Sequence, residues 1–520
     1  MTTDLPAAHT IRDRWRSVRG PLFIDLYELA MAQVYVRDGI AEQPAQFDQF
    51  FRSYPDYGTH QAGFCVSAGL GPFRAWLREL WFDTDTIDAL GGLRDSSGGA
   101  MFGREFLDWL ACPDRFAGLE LTAVEEGRVV HPHEPVVSVT GPLAVAQLIE
   151  TSLLNHLNYA TLIATKAARV VQSARGGTVL EFGMRRGPGA GVSDGVRGAL
   201  IAGCAGTSDV EASIALGCVP KGTHAHSMVQ AYLANGGTEL DAFRAMARSA
   251  PDDCVLLVDT VDTLGSGVPN AITVFDELRA AGHRPGGVRL DSGDLAYFAV
   301  QAARQLDAAG HDEAAIVLSS DLDELNIWQI LTQVDEEAER IGLDAAGVRR
   351  RLAYGVGTRL ITSHGDSSLG GVYKLVGLQR DDGEWAPAIK ISEDPGKVPI
   401  PGPKRLLRLY DRSDTAIVDL IGLPDDDPLA HEVLVTHHPT RAELHSTRDR
   451  STIGRVEPLH VRVDLDAPDE PLELLRERCR ADVEHLDVGV RRLVNPHRYH
   501  VSLTDRLHRL RADLITTTTT

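Results

Sequence analysis

CVLLVDTVDT, residues 254–263, is a short apolar run that breaks off into acids and threonines, and the chain repeats this design. TVLEFGMRR (178–186), LIAGCAGTSD (200–209), CVPKGTHAHS (218–227), GVRLDSGDL (287–295), AAIVLSSDLDE (314–324) and RLAYGVGT (351–358) each join an apolar run to a polar end. Helix-like segments lie between most of them, among them SDVEASIALG, TELDAFRAMARSA, AVQAARQLDAAG and LDAAGVRRRL. Buried apolar strands that alternate with amphipathic helices indicate a parallel sheet. Seven such units in series predict an irregular TIM-like α/β barrel, closed or nearly so, across residues 146–380. An open doubly wound sheet is the structural alternative. No G-x-G-x-x-G follows an early strand, which weighs against a dinucleotide fold.

The flanks follow another pattern. LELTAVEEGRVVHPHEPVVSVTG (119–141) reads as short antiparallel strands with turns, and DDGEWAPAIKISEDPGKVPIPGPK (381–404) is rich in Pro and Gly. Residues 1–145 and 381–520 are therefore expected to form one discontinuous α+β companion domain built from both chain ends.

Composition narrows the class. Of 520 residues, 43% are hydrophobic and 24% charged, ordinary values for a globular protein with a large core. The formal net charge is -21, a field that repels nucleic acid and anionic membranes. Six scattered cysteines form no C-x-x-C, which suits a reducing cytoplasm rather than a disulfide framework. The N-terminal MTTDLPAAHTIRDRW has no apolar core of signal-peptide length, and no run reaches the ~20 apolar residues of a membrane span. TTTTT at the C-terminus reads as a frayed tail.

In such barrels the reactive groups follow the strands. Arg185, Arg186 and Arg289 stand at strand ends, and a guanidinium suits carboxylate and phosphate. A lone strand-end arginine is more often a structural ion pair; three at one mouth favour an anion site. LDSGDL sets Asp291 and Asp294 around Ser292 and Gly293. GVGT (355–358) and LGG (369–371) are turns whose backbone N–H groups can cradle phosphate. Together these point to a phosphorylated sugar, with carboxylates for ribose hydroxyls or magnesium. Tyr27 and Phe182 are candidates for stacking on a flat ring, against the plain reading of core packing.

His224 and His226 raise a separate question. Two residues apart on an extended strand, they would face the same side. They could be a metal claw, a structural pair, or one histidine that does chemistry. The metal reading needs three or four ligands, and no later strand end supplies more histidines.

These residues resemble those of the nicotinate phosphoribosyltransferase family, a type II phosphoribosyltransferase group. The similarity runs through PLFIDLYELAMA (21–32), FDQFFRSYP (47–55), EFGMRRGPGAG (181–191), GTSDVEASIALGCVPKGTHAHS, VRLDSGDLAYF and YGVGTRLITSHGDSSLGGVYKLVG (354–377). The resemblance implies that nicotinate and phosphoribosyl pyrophosphate give nicotinate mononucleotide and pyrophosphate for NAD biosynthesis, with ATP hydrolysed and Mg²⁺ required. It implies that His226 is phosphorylated by ATP. It places Tyr27, Phe182, Arg185, Ser208, Thr223 and Arg289 around nicotinate. Arg185, Asp291, Ser292, Gly293, Gly357, Thr358, Gly370 and Gly371 would surround the phosphoribosyl group, with Asp291 and Arg289 also catalytic. It also implies a cytoplasmic homodimer with composite sites, Tyr27 serving the partner's. His224 receives no role.

One position bears on substrate choice. Nicotinamide-using relatives carry an aspartate where this chain has Ser208 of GTSD, and a neutral serine does not repel nicotinate's carboxylate. Asp209 should face away. A nicotinamide-using enzyme is the nearest alternative; a metal-dependent hydrolase and an inactive binding paralogue are the others.

Overall fold

The structure is a computed structural model that describes residues 20–390, 397–441 and 444–519. Residues 1–19 and 391–396, which include the N-terminal stretch and part of the Pro- and Gly-rich segment read above, lie outside the described residues. The chain divides into two compact units: Lys166–Ser367, and Met1–Thr165 together with Ser368–Thr520.

The first unit is the α/β one. Its strands are β1 (Thr178–Glu181), β2 (Gly206–Thr207), β3 (Val255–Leu257), β4 (Gly287–Leu290), β5 (Ala315–Ser319) and β6 (Leu352–Val356). All pair in parallel, in the order β2-β1-β6-β5-β4-β3. The expected alternation of strand and helix is present. The expected strand of the third repeat is not. Residues 218–225 take no strand assignment and lie in chain order between β2 and β3, the two edge strands. The reason is local: Pro220 lacks an N–H for a ladder, and Lys221 and Gly222 are exposed rather than packed between layers.

Helices start where strand-end acids cap them. Asp209 accepts from the Ala212 N–H, Asp294 from Tyr297, and Asp323 from Leu325 and Asn326. Buried Glu324 pairs with Lys166 at 2.8 Å and Arg169 at 3.1 Å.

The companion unit is sheet-rich, as expected from the chain ends. One six-stranded sheet runs Trp385–Pro387, Gly371–Gln379, Pro44–Phe51, Val137–Pro142, Glu120–Val124, His460–Arg462, so the two ends of the chain interleave within it. A second combines Arg405–Asp411, Ala416–Gly422, Val433–His437, His445–Asp449, Ile453–Pro458 and Val501–Thr504. The core is apolar: Phe47 and Tyr373 stack at 4.8 Å, among buried Phe51, Phe73, Val139, Leu153, Ile421 and Leu503. The threonine run is not a frayed tail. The last helix continues to Thr519, and the hydroxyls of Thr516 and Thr517 donate to the carbonyls of Ala512 and Asp513 one turn back. All six cysteines are free, and among the described residues no helix is long and apolar enough to cross a membrane.

Candidate active site

Parallel register sets the centre of the site. Leu257 on β3 lies opposite Arg289 on β4, so Asp259 and Asp291 leave their strands at the same level. The Asp259 carboxylate is pinned by the chain that follows β4. Its Oδ2 accepts from the Asp291 N–H at 3.0 Å and from the Ser292 hydroxyl at 2.5 Å. Its Oδ1 is buried and has no hydrogen-bond partner among the described residues.

Arg289 is gripped on three sides. Nε donates to Ser319 Oγ at 2.9 Å, Nη1 to Thr223 Oγ1 at 3.0 Å and Nη2 to Asp291 Oδ1 at 3.1 Å. Ser319 donates to the same Asp291 oxygen. The guanidinium carbon lies 5.9 Å from the centre of the Phe182 ring, within cation–π range. A Cβ on Gly355 would fall 2.5 Å from that ring, so this glycine of the GVGT turn is the slot in which Phe182 sits.

His226 is the first residue of the helix His226–Ala234. Its Nδ1 lies 3.0 Å from the Thr260 hydroxyl. Its Nε2 faces both carboxylates, 3.8 Å from Asp291 Oδ2 and 3.9 Å from Asp259 Oδ1. The ring is 38% exposed, open enough to be approached.

His224 does not face the same way, because the segment is not a strand. Its Nε2 accepts the Leu257 N–H at 3.0 Å and its Nδ1 lies 3.4 Å from the Ala225 carbonyl. Both ring nitrogens are engaged, so an H-x-H metal claw is ruled out by geometry. Among the described residues the one cluster with metal-ligand spacing is His131, Glu134 and Asp419 of the companion unit.

The other expected residues are distributed as follows. Ser208 follows β2, half-buried, its N–H on the Glu181 carbonyl. Asp209 caps a helix and is buried, and Asp294 is likewise a cap that also accepts from Gln333. Burial pushes the Glu181 carboxyl up, against hydrogen bonds from Thr207 and the Gly183 N–H. Arg185 and Arg186 are exposed after β1 and make no ion pair among the described residues. Gly293 has φ +76, and a Cβ there would strike Phe298. Gly357 and the exposed Thr358 follow β6. Tyr27, Gly370 and Gly371 belong to the companion unit. Tyr27 is exposed in the first turn of the helix Leu26–Arg37. Nothing lies within 4 Å of a Cβ placed on Gly370, whereas the place of a Gly371 Cβ is taken by the Asn158 side chain.

Asp259, Thr260 and Ser319 belong to this constellation and were not among the candidates read from the sequence. Asp259 carried a usable signal: it is the first polar residue after CVLLV, as Asp291 is after the apolar part of GVRL.

Models of the nicotinate phosphoribosyltransferase (NAPRTase) N-terminal and C-terminal domains match residues 22–158 and 403–511. The nicotinate phosphoribosyltransferase of Bacillus subtilis is 41% identical over 422 residues, covering 80% of this chain and 79% of the relative. The Caenorhabditis elegans protein of the same name is 31% identical, covering 94% of this chain and 92% of the relative. The crystal structure of human nicotinic acid phosphoribosyltransferase aligns with a TM-score of 0.75 at 28% identity, over 94% of this chain and 99% of that one. A nicotinate-nucleotide pyrophosphorylase from Pyrococcus furiosus, at 19% identity and TM-score 0.61, shares the fold over 93% of this chain and 98% of its own. Likeness of this extent, in both units, makes the chain a member of the nicotinate phosphoribosyltransferase family.

Proposed function

We propose that this phosphoribosyltransferase couples the formation of nicotinate mononucleotide to ATP through transient phosphorylation of His226. The observation that carries the reading is the placement of the two ring nitrogens. Two carboxylates face Nε2 and favour a proton there. A ring protonated at Nε2 leaves the lone pair on Nδ1, beside the Thr260 hydroxyl. That nitrogen attacks the γ-phosphorus of ATP, the bond to the bridging oxygen breaks, and ADP leaves. In the transfer step the C1′–O bond to pyrophosphate breaks as the pyridine nitrogen forms the C1′–N bond. Water then hydrolyses the phosphohistidine to phosphate.

The chain's own residues position and shield. Phe182 supplies a face for the pyridine ring, and the N–H groups of Arg289 not used by Thr223, Asp291 and Ser319 point a cation at its carboxylate. Arg185 is free to meet phosphoribosyl oxygens. Gly357 and Thr358 offer the 5′-phosphate their backbone N–H groups, and Asp291, Ser292 and Gly293 meet the ribose. Mg²⁺ would enter with pyrophosphate and ATP and neutralise their charge. The working form is a cytoplasmic homodimer in which Tyr27 serves the partner's site. Ser208 gives the preference for nicotinate, since the acid next to it, Asp209, is buried and caps a helix through Oδ1.

The test offers nicotinate and nicotinamide in parallel to the purified protein with phosphoribosyl pyrophosphate and Mg²⁺, with and without ATP. Product from nicotinate alone, stimulated by ATP, is expected. His226→Ala should abolish the stimulation and leave slow ATP-independent transfer. Full ATP-dependent rate in that variant ends the phosphohistidine reading, and product from nicotinamide ends the Ser208 argument.

A further inference from the structure

The parallel sheet has a gap where its second and third strands would meet in a closed barrel. β2 and β3 are its two edges, and no ladder joins them. The segment 218–225 spans the gap with one hydrogen bond to each side. Toward β2 the bond is ordinary: the Lys221 N–H donates to the Thr207 carbonyl at 2.8 Å. Toward β3 it comes from a side chain, the Nε2 of His224 accepting the Leu257 N–H.

We propose that His224 is a positioning residue, its imidazole standing in for a strand ladder at the open edge of β3 and fixing Thr223 and His226 on either side of it. Parallel pairing shows why an acceptor is needed. The Val258 N–H goes to Arg289 on β4, so the Leu257 N–H, one residue earlier, faces the opposite edge. That N–H is buried, and His224 supplies its acceptor.

The ring can do this only as one tautomer. Nε2 must carry the lone pair, so Nδ1 carries the proton, and the Ala225 carbonyl lies on that side. The ring lies 6.1 Å from that of Phe243. Burial, with the charge of Arg289, holds His224 below its ordinary 6.5, which favours the neutral form that can accept.

Both neighbours belong to the site. Thr223 donates to the His224 carbonyl at 3.2 Å and accepts from Arg289. His226, two residues on, meets Thr260 and the two carboxylates. A shift of the anchor therefore moves the Arg289 partner and the phosphate acceptor together. The labelling readout below rests on the reading of His226 given above; the backbone readout does not.

Two variants of the full-length protein separate the outcomes: His224→Leu removes the acceptor, and His224→Gln restores one through its side-chain oxygen. Leu257 amide exchange should quicken by about tenfold in His224→Leu and return toward wild type in His224→Gln. Labelling of His226 from γ-labelled ATP should fall about tenfold in His224→Leu, KM for nicotinate should rise through the Thr223–Arg289 contact, and both should recover in His224→Gln. Unchanged exchange at Leu257, or loss of labelling and of nicotinate affinity with no rescue by Gln, overturns the proposal. If wild type takes no label at His226, the phosphohistidine reading has failed while Leu257 exchange still decides the role of His224.

Discussion

Arg408 and Arg289 each hold an aspartate, and they do so to opposite ends. Arg408, in the companion unit, is 1% exposed, and all its nitrogens are committed. Nε and Nη2 clasp the two oxygens of Asp419 at 2.8 and 2.6 Å, Nη1 meets Asp482 at 3.0 Å, and Nη2 also reaches the Val129 carbonyl at 2.8 Å. Tyr499 donates to Asp419, and its ring stacks on His131 at 3.9 Å. Burial and the nearby Asp419 charge push the Glu134 carboxyl well above the usual carboxylate range. His131, Glu134 and Asp419 are close enough to hold a metal, yet both Asp419 oxygens already accept from a guanidinium that brings its own positive charge. The Asp419 carboxylate is closed, though His131 Nε2 and Glu134 Oε1 beside it have no hydrogen-bond partner among the described residues. The Arg289 cluster is open: its guanidinium is 15% exposed and Asp291 27%, and one buried oxygen of Asp259 has no partner among the described residues. The same arginine–aspartate pairing is a fastening where buried guanidinium N–H groups answer both carboxylate oxygens, and a site where the pair is partly exposed and a carboxylate oxygen is left beside it.

Arg408→Met presses hardest on that contrast. It leaves Asp419 charged and buried without its counterion, while Asp482 keeps Arg128 at 3.2 Å, and should destabilise the protein by about 3–5 kcal/mol. Urea or thermal unfolding reads the loss directly. A variant as stable as wild type would mean that the cluster fastens nothing. Asp291→Asn keeps the shape and removes one charge in front of His226. We expect kcat to fall by about 10²–10³, on the scale of a lost electrostatic group in a pre-organised site. Its unfolding midpoint should move far less than that of Arg408→Met. If the two variants exchange behaviours, the open site is the structural one and the comparison fails.

The sequence disclosed the fold because its period is regular. Apolar runs ending in polar residues and separated by helices require parallel strands, and six of the seven appear where the pattern placed them. The seventh, CVPKGTHAHS, copied the composition but not the backbone: Pro220 and two exposed residues after it prevent a ladder, and the gap is bridged by a side chain. His224 was therefore unreadable, because its partner is a backbone N–H 33 residues away. Strand-end acids were half legible. Asp291 lies in the hydrogen-bond network around Arg289, but Asp294 is a helix cap and the unselected Asp259 accepts from the Asp291 N–H, since a cap and a network carboxylate look alike in one dimension. The Arg408 cluster was not seen at all: His131, Asp419 and Tyr499 are far apart along the chain, and VVHPHEP read only as strand and turn.

The smallest effect tests how tightly the open site is built. Gly355 lies on β6 with no left-handed backbone, so its lack of a side chain serves space and not conformation. A Cβ there would lie 2.5 and 2.7 Å from two carbons of the Phe182 ring and 3.4 Å from Ser319 Cβ. The strand cannot retreat, because β6 is paired on both sides, so the ring must tilt. Overpacking of this kind costs about 1–3 kcal/mol. The movement falls on the aromatic face offered to nicotinate rather than on His226, so Gly355→Ala should raise KM for nicotinate about tenfold and change kcat little. Gly370→Ala is the matched control, since nothing lies within 4 Å of its added carbon. Any rise there should fall on KM for phosphoribosyl pyrophosphate and leave KM for nicotinate unchanged. Should Gly355→Ala lower kcat and leave both KM values unchanged, Phe182 supports the histidine and its carboxylates instead of the pyridine ring.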